Sequence, residues 1–598
     1  MSRPSRGDPA WSPFATRSPF AGSHIGLPLL TDQDRAMLDG ARGPAARMAM
    51  SIVVRMAEVF GARELMDITA AHIDSTIYIG EAGLEFAERL AGLGARVAVP
   101  TTLNVSGLDE HHWQEWAVPA DWARNAHRQM VAYQSMGAVP TWTCAPYQTA
   151  LRPQFGQQIA WGESNAIAFA NSVIGARTER YPDLLDICCA ITARVPAWGL
   201  HLTENRAGEI LLRLRDVPRA MQQDDTFYAV LGHLMGKIAQ DRIPVIVGLA
   251  VQPTEDQLKS LGAAAASSGT VALFHIVGVT PEAPTRDAAF QGKPPAQTID
   301  VTLDDLYRAR RELTSAEGEQ LDMVAVGCPH LSLDEFKQLA SLIAGKRVHP
   351  HVKFLVTSSR AMVAQTKQAG YLAALEAFGA KVTVDTCILA SPMLPCEIKT
   401  LMTNSGKYAY YAPGMLNMRV TFGGLAECVQ SAVAGRILTP PHPSPPIPSL
   451  DELCQERGEG VRGSGVRLSG EAEGQVLVSA EPLSFWGGYD YHTGEIIDRR
   501  HPLSGAIAAG KILALPFTRG SSTTTAVLLE AVRAGTAPAA IITTGMDPFF
   551  ALASIVADEM YGKPIPLLSL SQEKFATLRT GARVRIKEDG TITSHPDN

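Results

Sequence analysis

Eleven residues, 439–449, read TPPHPSPPIPS and decide how this chain can be divided. Each proline fixes φ and removes an amide donor, so the run joins neither a helix nor the middle of a sheet. The residues after it, to about Gly470, are charged and glycine-rich and have no hydrophobic period. The expected organisation is a tail over 1–23, a large region over 24–438, a linker over 439–470 and a small domain over 471–598. A chain of 598 residues has room for two to four domains, at about 150 residues each.

The tail carries Pro4, Pro9, Pro13 and Pro19. These oppose the amphipathic helix of a transit peptide, and no apolar core of a secretory signal is present, so the tail reads as disordered. The net charge of −7 offers no general attraction to a phosphate backbone and argues against nucleic acid as a partner. No run of about 18 apolar residues appears, so no membrane span is expected. Eight cysteines are too few for a secreted disulfide scaffold. A reducing cytoplasm is the expected compartment, with thiols free or metal-bound.

Both parts read as α/β. The apolar runs at 243–251, 271–279, 322–327, 353–359 and 381–386 have the character of buried strands. Between them, LDEFKQLASLIAG and MVAQTKQAGYLAALEAFG place apolar residues at helical spacing. Strands alternating with helices imply parallel or mixed sheets covered on both faces, whose ligands bind beyond the carboxyl ends of the strands.

The residues at those strand ends are chemically pointed. Cys328-Pro329-His330 comes directly after one strand and Thr386-Cys387 after another, while Cys144 sits in the loop Thr143-Cys144-Ala145-Pro146-Tyr147. In the small domain KILALPF runs into Thr518-Arg519-Gly520-Ser521-Ser522 and then a helix. Each has a plainer reading. A cysteine in an apolar run is usually core, as expected of Cys188 and Cys189, and Cys396, Cys428 and Cys454 lack any strand-end context. No short Cys-x-x-Cys framework links Cys144, Cys328 and Cys387. Ser521 or Ser522 is either a helix cap or a base whose alkoxide is held by helix amides and Arg519.

The segments Thr101-Thr102-Leu103-Asn104, 143–147, Gly175-Ala176-Arg177-Thr178, Gly327-Cys328-Pro329-His330 and Thr403-Asn404-Ser405-Gly406-Lys407 resemble the catalytic part of aconitase X. The segments 481–488, 498–502 and Arg519-Gly520-Ser521-Ser522 resemble that family's swivel domain. The resemblance covers nearly the whole chain outside the tail and linker. It implies a dehydratase in which Cys144, Cys328 and Cys387 hold iron, as a 2Fe-2S or 4Fe-4S iron–sulfur cluster or as mononuclear iron. It makes Ser521 the base, with Arg519 and Lys407 holding carboxylate and enolate charge. It points to Glu163, Ser164, Asn165, Arg177, Ser405, Ser522, His72 and His330 as substrate contacts. Asp74, beside His72, joins the residues that could orient water or hydroxyl. The plainer reading of Arg177 is a solvated or salt-bridged helix end, and of each histidine a satisfied structural ring.

Two positions depart from the family pattern: Tyr410, where a histidine is usual, and Glu179, where asparagine commonly comes after Gly-Ala-Arg-Thr. The substrate expected from the resemblance is a small hydroxy acid, first cis-3-hydroxy-L-proline, dehydrated to Δ1-pyrroline-2-carboxylate by a monomer or homo-oligomer. The alternatives are mevalonate 5-phosphate, an unrelated specialised metabolite that is dehydrated or isomerised, or a non-catalytic iron sensor.

Overall fold

The computed structural model describes residues 28–438, 467–468, 470–499, 501–588 and 590–594. The 1–23 tail, Cys454 and most of the expected linker lie outside the described residues. Within the linker's range, Arg467–Leu468 forms a short strand antiparallel to residues 567–568, so the small domain's sheet starts a few residues earlier than its sequence pattern announces.

The apolar runs become strands of parallel sheets. Five of them, in the order Ala380–Thr383, Lys353–Thr357, Met323–Val326, Thr400–Thr403 and Arg419–Phe422, make an all-parallel sheet. Helices cover it, so its central strand Met323–Val326 is buried along its whole length, which is why that segment reads as unbroken apolar sequence. The helix Leu333–Ile343 opens on a capping box of Ser332 and Glu335. The next helical pattern divides into Arg360–Gln368 and Tyr371–Phe378, interrupted at Ala369-Gly370.

A four-stranded parallel sheet contains Pro244–Val247 and His275–Ile276, and a small parallel sheet pairs Ala71–Ile73 with Thr101–Leu103 and Ala160–Trp161. The small domain is built on a seven-stranded mixed sheet with Ile512–Ala514 at its centre, flanked in parallel by Ala472–Val478 and Ala540–Thr543. Among the described residues no helix is long and apolar enough to cross a membrane.

The small domain is docked on the large region. One buried apolar cluster runs continuously from Ile52 and Phe86 in the large region to Leu528 and Leu552 in the small domain. Polar ties border it: Glu530 accepts from the Ala82 amide at 2.6 Å, Tyr561 donates to Glu85 at 2.8 Å and Arg55 pairs with Asp558 at 3.0 Å. This docking brings the carboxyl ends of parallel strands from three sheets to one place.

Candidate active site

Asp74 and Asn104 come after strands of the small parallel sheet, as does Glu163 two residues after Trp161. Cys328, Cys387 and Lys407 come after strands of the five-stranded sheet. Ser521 comes after the central strand of the small domain. All of these, with Cys144, Asn165 and Trp486, line one cavity enclosing about 520 Å³ of space, open solvent at its mouth included.

The three thiols of this cavity belong to free cysteines. Burial pushes the Cys144 thiol up to about 12, and it raises Cys328 and Cys387 as well. Backbone amides are nevertheless aimed at two of the sulfurs: His330 N–H donates to Cys144 Sγ and Leu389 N–H to Cys387 Sγ, each at 3.3 Å. Among the described residues no three Cys, His, Asp or Glu side chains close on a single point as they stand. The thiols instead border a shared space. Soft sulfur donors fed by N–H groups suit iron, and a bound cation would favour the thiolate that burial disfavours, so this donor set fits the iron that the family fold implies.

Opposite the thiols stands a buried cation. Lys407 Nζ donates to Glu163 Oε1 at 2.5 Å and to Ser164 Oγ at 3.5 Å. Glu163 caps the helix Ser164–Phe169 through the Ala166 amide at 2.8 Å. Asn165 donates to Glu163 and to the Cys144 carbonyl at 3.0 Å and accepts from Tyr147. The Glu163 carboxylate raises the Lys407 pKa despite burial, keeping the lysine protonated in this cavity.

Ser521 reaches the cavity on a turn gripped from the other side of the domain boundary. Gly520 has φ +81°, and a Cβ there would lie 2.7 Å from Tyr411 Oη, so glycine alone fits. Arg180 donates to the Gly520 carbonyl at 3.0 Å, and the Asp183 amide to the Ser522 carbonyl at 3.4 Å. Ser522 Oγ donates to Asp74 Oδ2, and Asn104 donates to Asp74 Oδ1. The helix Thr524–Ala534 begins at Thr523 with no side-chain cap, so Ser522 is not its cap. Ser521 Oγ instead accepts from the Thr523 amide at 3.2 Å and contacts Thr523 Oγ1 at 3.1 Å.

Behind this turn lies a knot of carboxyls. Burial and the neighbouring Glu163 push Asp74 up to about 7, and burial together with the charge of Asp74 raises Asp183. Asp186 accepts from the Asp74 amide at 2.6 Å and from Ser75 Oγ at 3.0 Å. Asp183, Asp186 and Arg180 are not legible as site residues in the sequence: each sits in an ordinary helix-start or loop context, and only the docking of the distant turn gives them a role.

The remaining expected contacts stand elsewhere. Arg177 is not among the residues lining the cavity; its guanidinium donates to Thr203 Oγ1 at 2.7 Å and to the His201 carbonyl at 3.2 Å. Fully buried His72 has its Nδ1 2.8 Å from Thr102 Oγ1, and burial lowers its pKa to about 3. Ser405 caps the helix Gly406–Met415 by accepting from the Tyr408 amide. Arg519 turns into a second, smaller cavity shared with Tyr410 and Trp486, where it donates to Asp498 at 3.0 Å. Glu179 faces neither cavity: its carboxylate accepts from the Leu200 amide at 2.8 Å and the Arg180 amide at 2.7 Å. Of the two departures, then, Tyr410 borders the site and Glu179 braces a neighbouring loop.

Four family models match the chain in order: aconitase X first domain over 28–204, second domain over 208–311, third domain over 321–434 and swivel domain over 462–594. The chain belongs to the aconitase X family. A cis-3-hydroxy-L-proline dehydratase of Pseudomonas aeruginosa is 50% identical over 412 residues, 68% of this chain and 70% of that protein. The enzyme of the same name from Hypocrea jecorina is 42% identical over 76% of each chain. A phosphomevalonate dehydratase large subunit of Methanothermobacter thermautotrophicus is 36% identical over 67% of this chain and 97% of its own. The crystal structure of Thermococcus kodakaraensis aconitase X, in its holo-form, superposes with a TM-score of 0.60 at 32% identity, covering 68% of this chain and all of that one. These three sequence relatives are dehydratases, and this chain shares with them the hydro-lyase class.

Proposed function

We propose that this aconitase X protein removes water from cis-3-hydroxy-L-proline to give Δ1-pyrroline-2-carboxylate. The observation that carries the reading is the meeting, in one cavity, of three thiols, a carboxylate-paired lysine and a serine presented by the small domain. Half-identity to a relative of that activity supports the substrate. The cavity's lining has one cation, Lys407, against Asp74 and Glu163. That balance suits a small zwitterion better than a phosphate, which would bring further negative charge to the same wall.

Cys144, Cys328 and Cys387 would hold the iron, as an iron–sulfur cluster or a mononuclear centre. Iron bound there supplies a Lewis acid for the departing hydroxyl. The chain's own groups do the rest. Lys407 faces negative charge as it develops on the carboxylate side. Ser521 Oγ, as the alkoxide stabilised by the Thr523 N–H, takes the Cα proton, and the electron pair forms the Cα–C3 double bond as hydroxide leaves C3. The resulting enamine takes a proton at C3 and gives up its ring N–H proton to solvent, becoming the ring imine. Trp486, Ser521 and Thr523 of the small domain form part of the cavity's wall. The free thiols suit a reducing cytoplasm.

The test is a paired assay on anaerobically purified protein: iron and sulfide content with visible absorption, then turnover of cis-3-hydroxy-L-proline. Turnover that disappears in Cys328→Ala, with loss of iron, and in Ser521→Ala, with iron retained, is the expected result. Iron without turnover overturns the substrate, and the iron-to-sulfide ratio decides the kind of centre.

A further inference from the structure

His330 is wholly buried, stands two residues after Cys328, and does not line the cavity. Its contacts go to the other two cysteine loops. Its amide donates to Cys144 Sγ at 3.3 Å. Ring Nδ1 is 3.1 Å from the hydroxyl of Thr143, the residue before Cys144. Ring Nε2 is 3.2 Å from the carbonyl of Thr386, the residue before Cys387. A carbonyl only accepts, so the proton sits on Nε2, and Nδ1 accepts from the Thr143 hydroxyl. That hydroxyl in turn accepts from the Ala145 amide at 3.1 Å, which closes the chain of donors without an unpaired atom.

One further group holds the hub from below. Lys259, on the helix Glu255–Ser268 and 3% exposed, donates to the His330 carbonyl at 3.3 Å. Its charge is met by Asp256 at 2.9 Å and by Glu335. A buried ammonium with two carboxylates is an expensive way to hold one backbone carbonyl, unless the position of that carbonyl matters.

We infer that His330 is a positioning residue that fixes the spacing of the three cysteine loops, anchored by Lys259, and so sets the strength and symmetry of metal binding. The inference rests on the proposed iron site. Ring and backbone together span loops that the chain separates by 187 and 56 residues. Lateral shift of any one loop breaks a hydrogen bond to this imidazole. His330 touches no reacting atom and acts only through Cys144, Cys328 and Cys387.

The experiment compares full-length parent, His330→Ala, His330→Gln, Thr143→Val and Lys259→Met, each reconstituted with ferrous iron and sulfide. Three readouts are taken: iron per chain, the visible circular dichroism of the bound centre, and the rate of iron loss to an added ferrous chelator. Thermal melts of the iron-free forms report whether each variant folds. His330→Ala is expected to lose iron about tenfold faster or more, with an altered dichroism spectrum. His330→Gln, which can still donate to the Thr386 carbonyl, is expected to lie between the two. Thr143→Val and Lys259→Met each remove one tie from opposite sides and are expected to speed release less than His330→Ala. If His330→Ala does not fold, these two variants decide the matter, and release at the parental rate from both overturns the hub. A folded His330→Ala with parental spectrum and release rate overturns it directly. A parent that binds no iron overturns the metal reading itself and is distinguished by that.

Discussion

Ser522 of the small domain donates its hydroxyl to Asp74 of the large region, a contact between residues 448 positions apart in the chain. The neighbouring residue, Ser521, is thereby set into the cavity. Replacing Ser522 by alanine removes this tie and leaves the Arg180 and Asp183 contacts to the turn. A misplaced base is costly in rate rather than in binding, so kcat is expected to fall about tenfold to a hundredfold. Iron content and melting temperature should remain close to the parent's, and steady-state kinetics beside metal analysis checks both.

Ser521→Ala deletes the proposed base while leaving the thiols and Lys407 in place. Loss of a positioned general base lowers turnover by about 10²- to 10⁴-fold. Solvent hydrogen exchange at Cα of the bound substrate, followed by NMR, should disappear along with turnover. Exchange that persists in the variant would assign proton removal to another group.

Lys407 and Glu163 form a buried ion pair whose side chains are 15% and 6% exposed. Removing one partner of such a pair strands the other charge, at about 3–5 kcal/mol. Glu163 retains the Ala166 and Asn165 donors, which places Lys407→Met at the lower end of that range. The double variant Lys407→Met/Glu163→Gln should recover part of the loss. Denaturant unfolding of the iron-free proteins measures all three.

The carboxyls of Asp74 and Asp183 give the fold a pH dependence of definite sign. In the unfolded chain both titrate near about 3.9. In the folded protein Asp74 is pushed up to about 7 and Asp183 is raised too, chiefly by burial. The folded state therefore binds more protons between about pH 4 and 7, and stability falls as pH rises through that window. The Asp74 contribution is complete below about pH 4 and gone above about pH 7. Asp183→Asn keeps a neutral side chain near Asp74 at every pH. Its melting curve should be flatter over pH 4–8 and its stability at pH 8 higher than the parent's, by about 1 kcal/mol or more. Parallel curves for the two proteins would remove this pair from the account.

The strands around the site are legible in the sequence because a strand buried on both faces must be apolar along its length, as Met323–Val326 is. The rule that ligands gather beyond strand carboxyl ends then points to Cys328, Cys387 and the Ser521 turn without any coordinates. The helix break at Gly370 is less plain, because the apolar spacing continues through it.

Residue type and hydrophobic period suffice for the α/β architecture and for which loops carry sulfur, hydroxyl and charge, since each of these is a local property of the chain. Which of those groups meet is not local. Cys144 joins Cys328 and Cys387, Arg177 turns away to Thr203, Arg519 faces the neighbouring cavity and Ser522 finds Asp74 rather than a helix end. Such pairings depend on how separate sheets dock, and docking is set by the whole buried apolar surface, which no single segment of sequence contains.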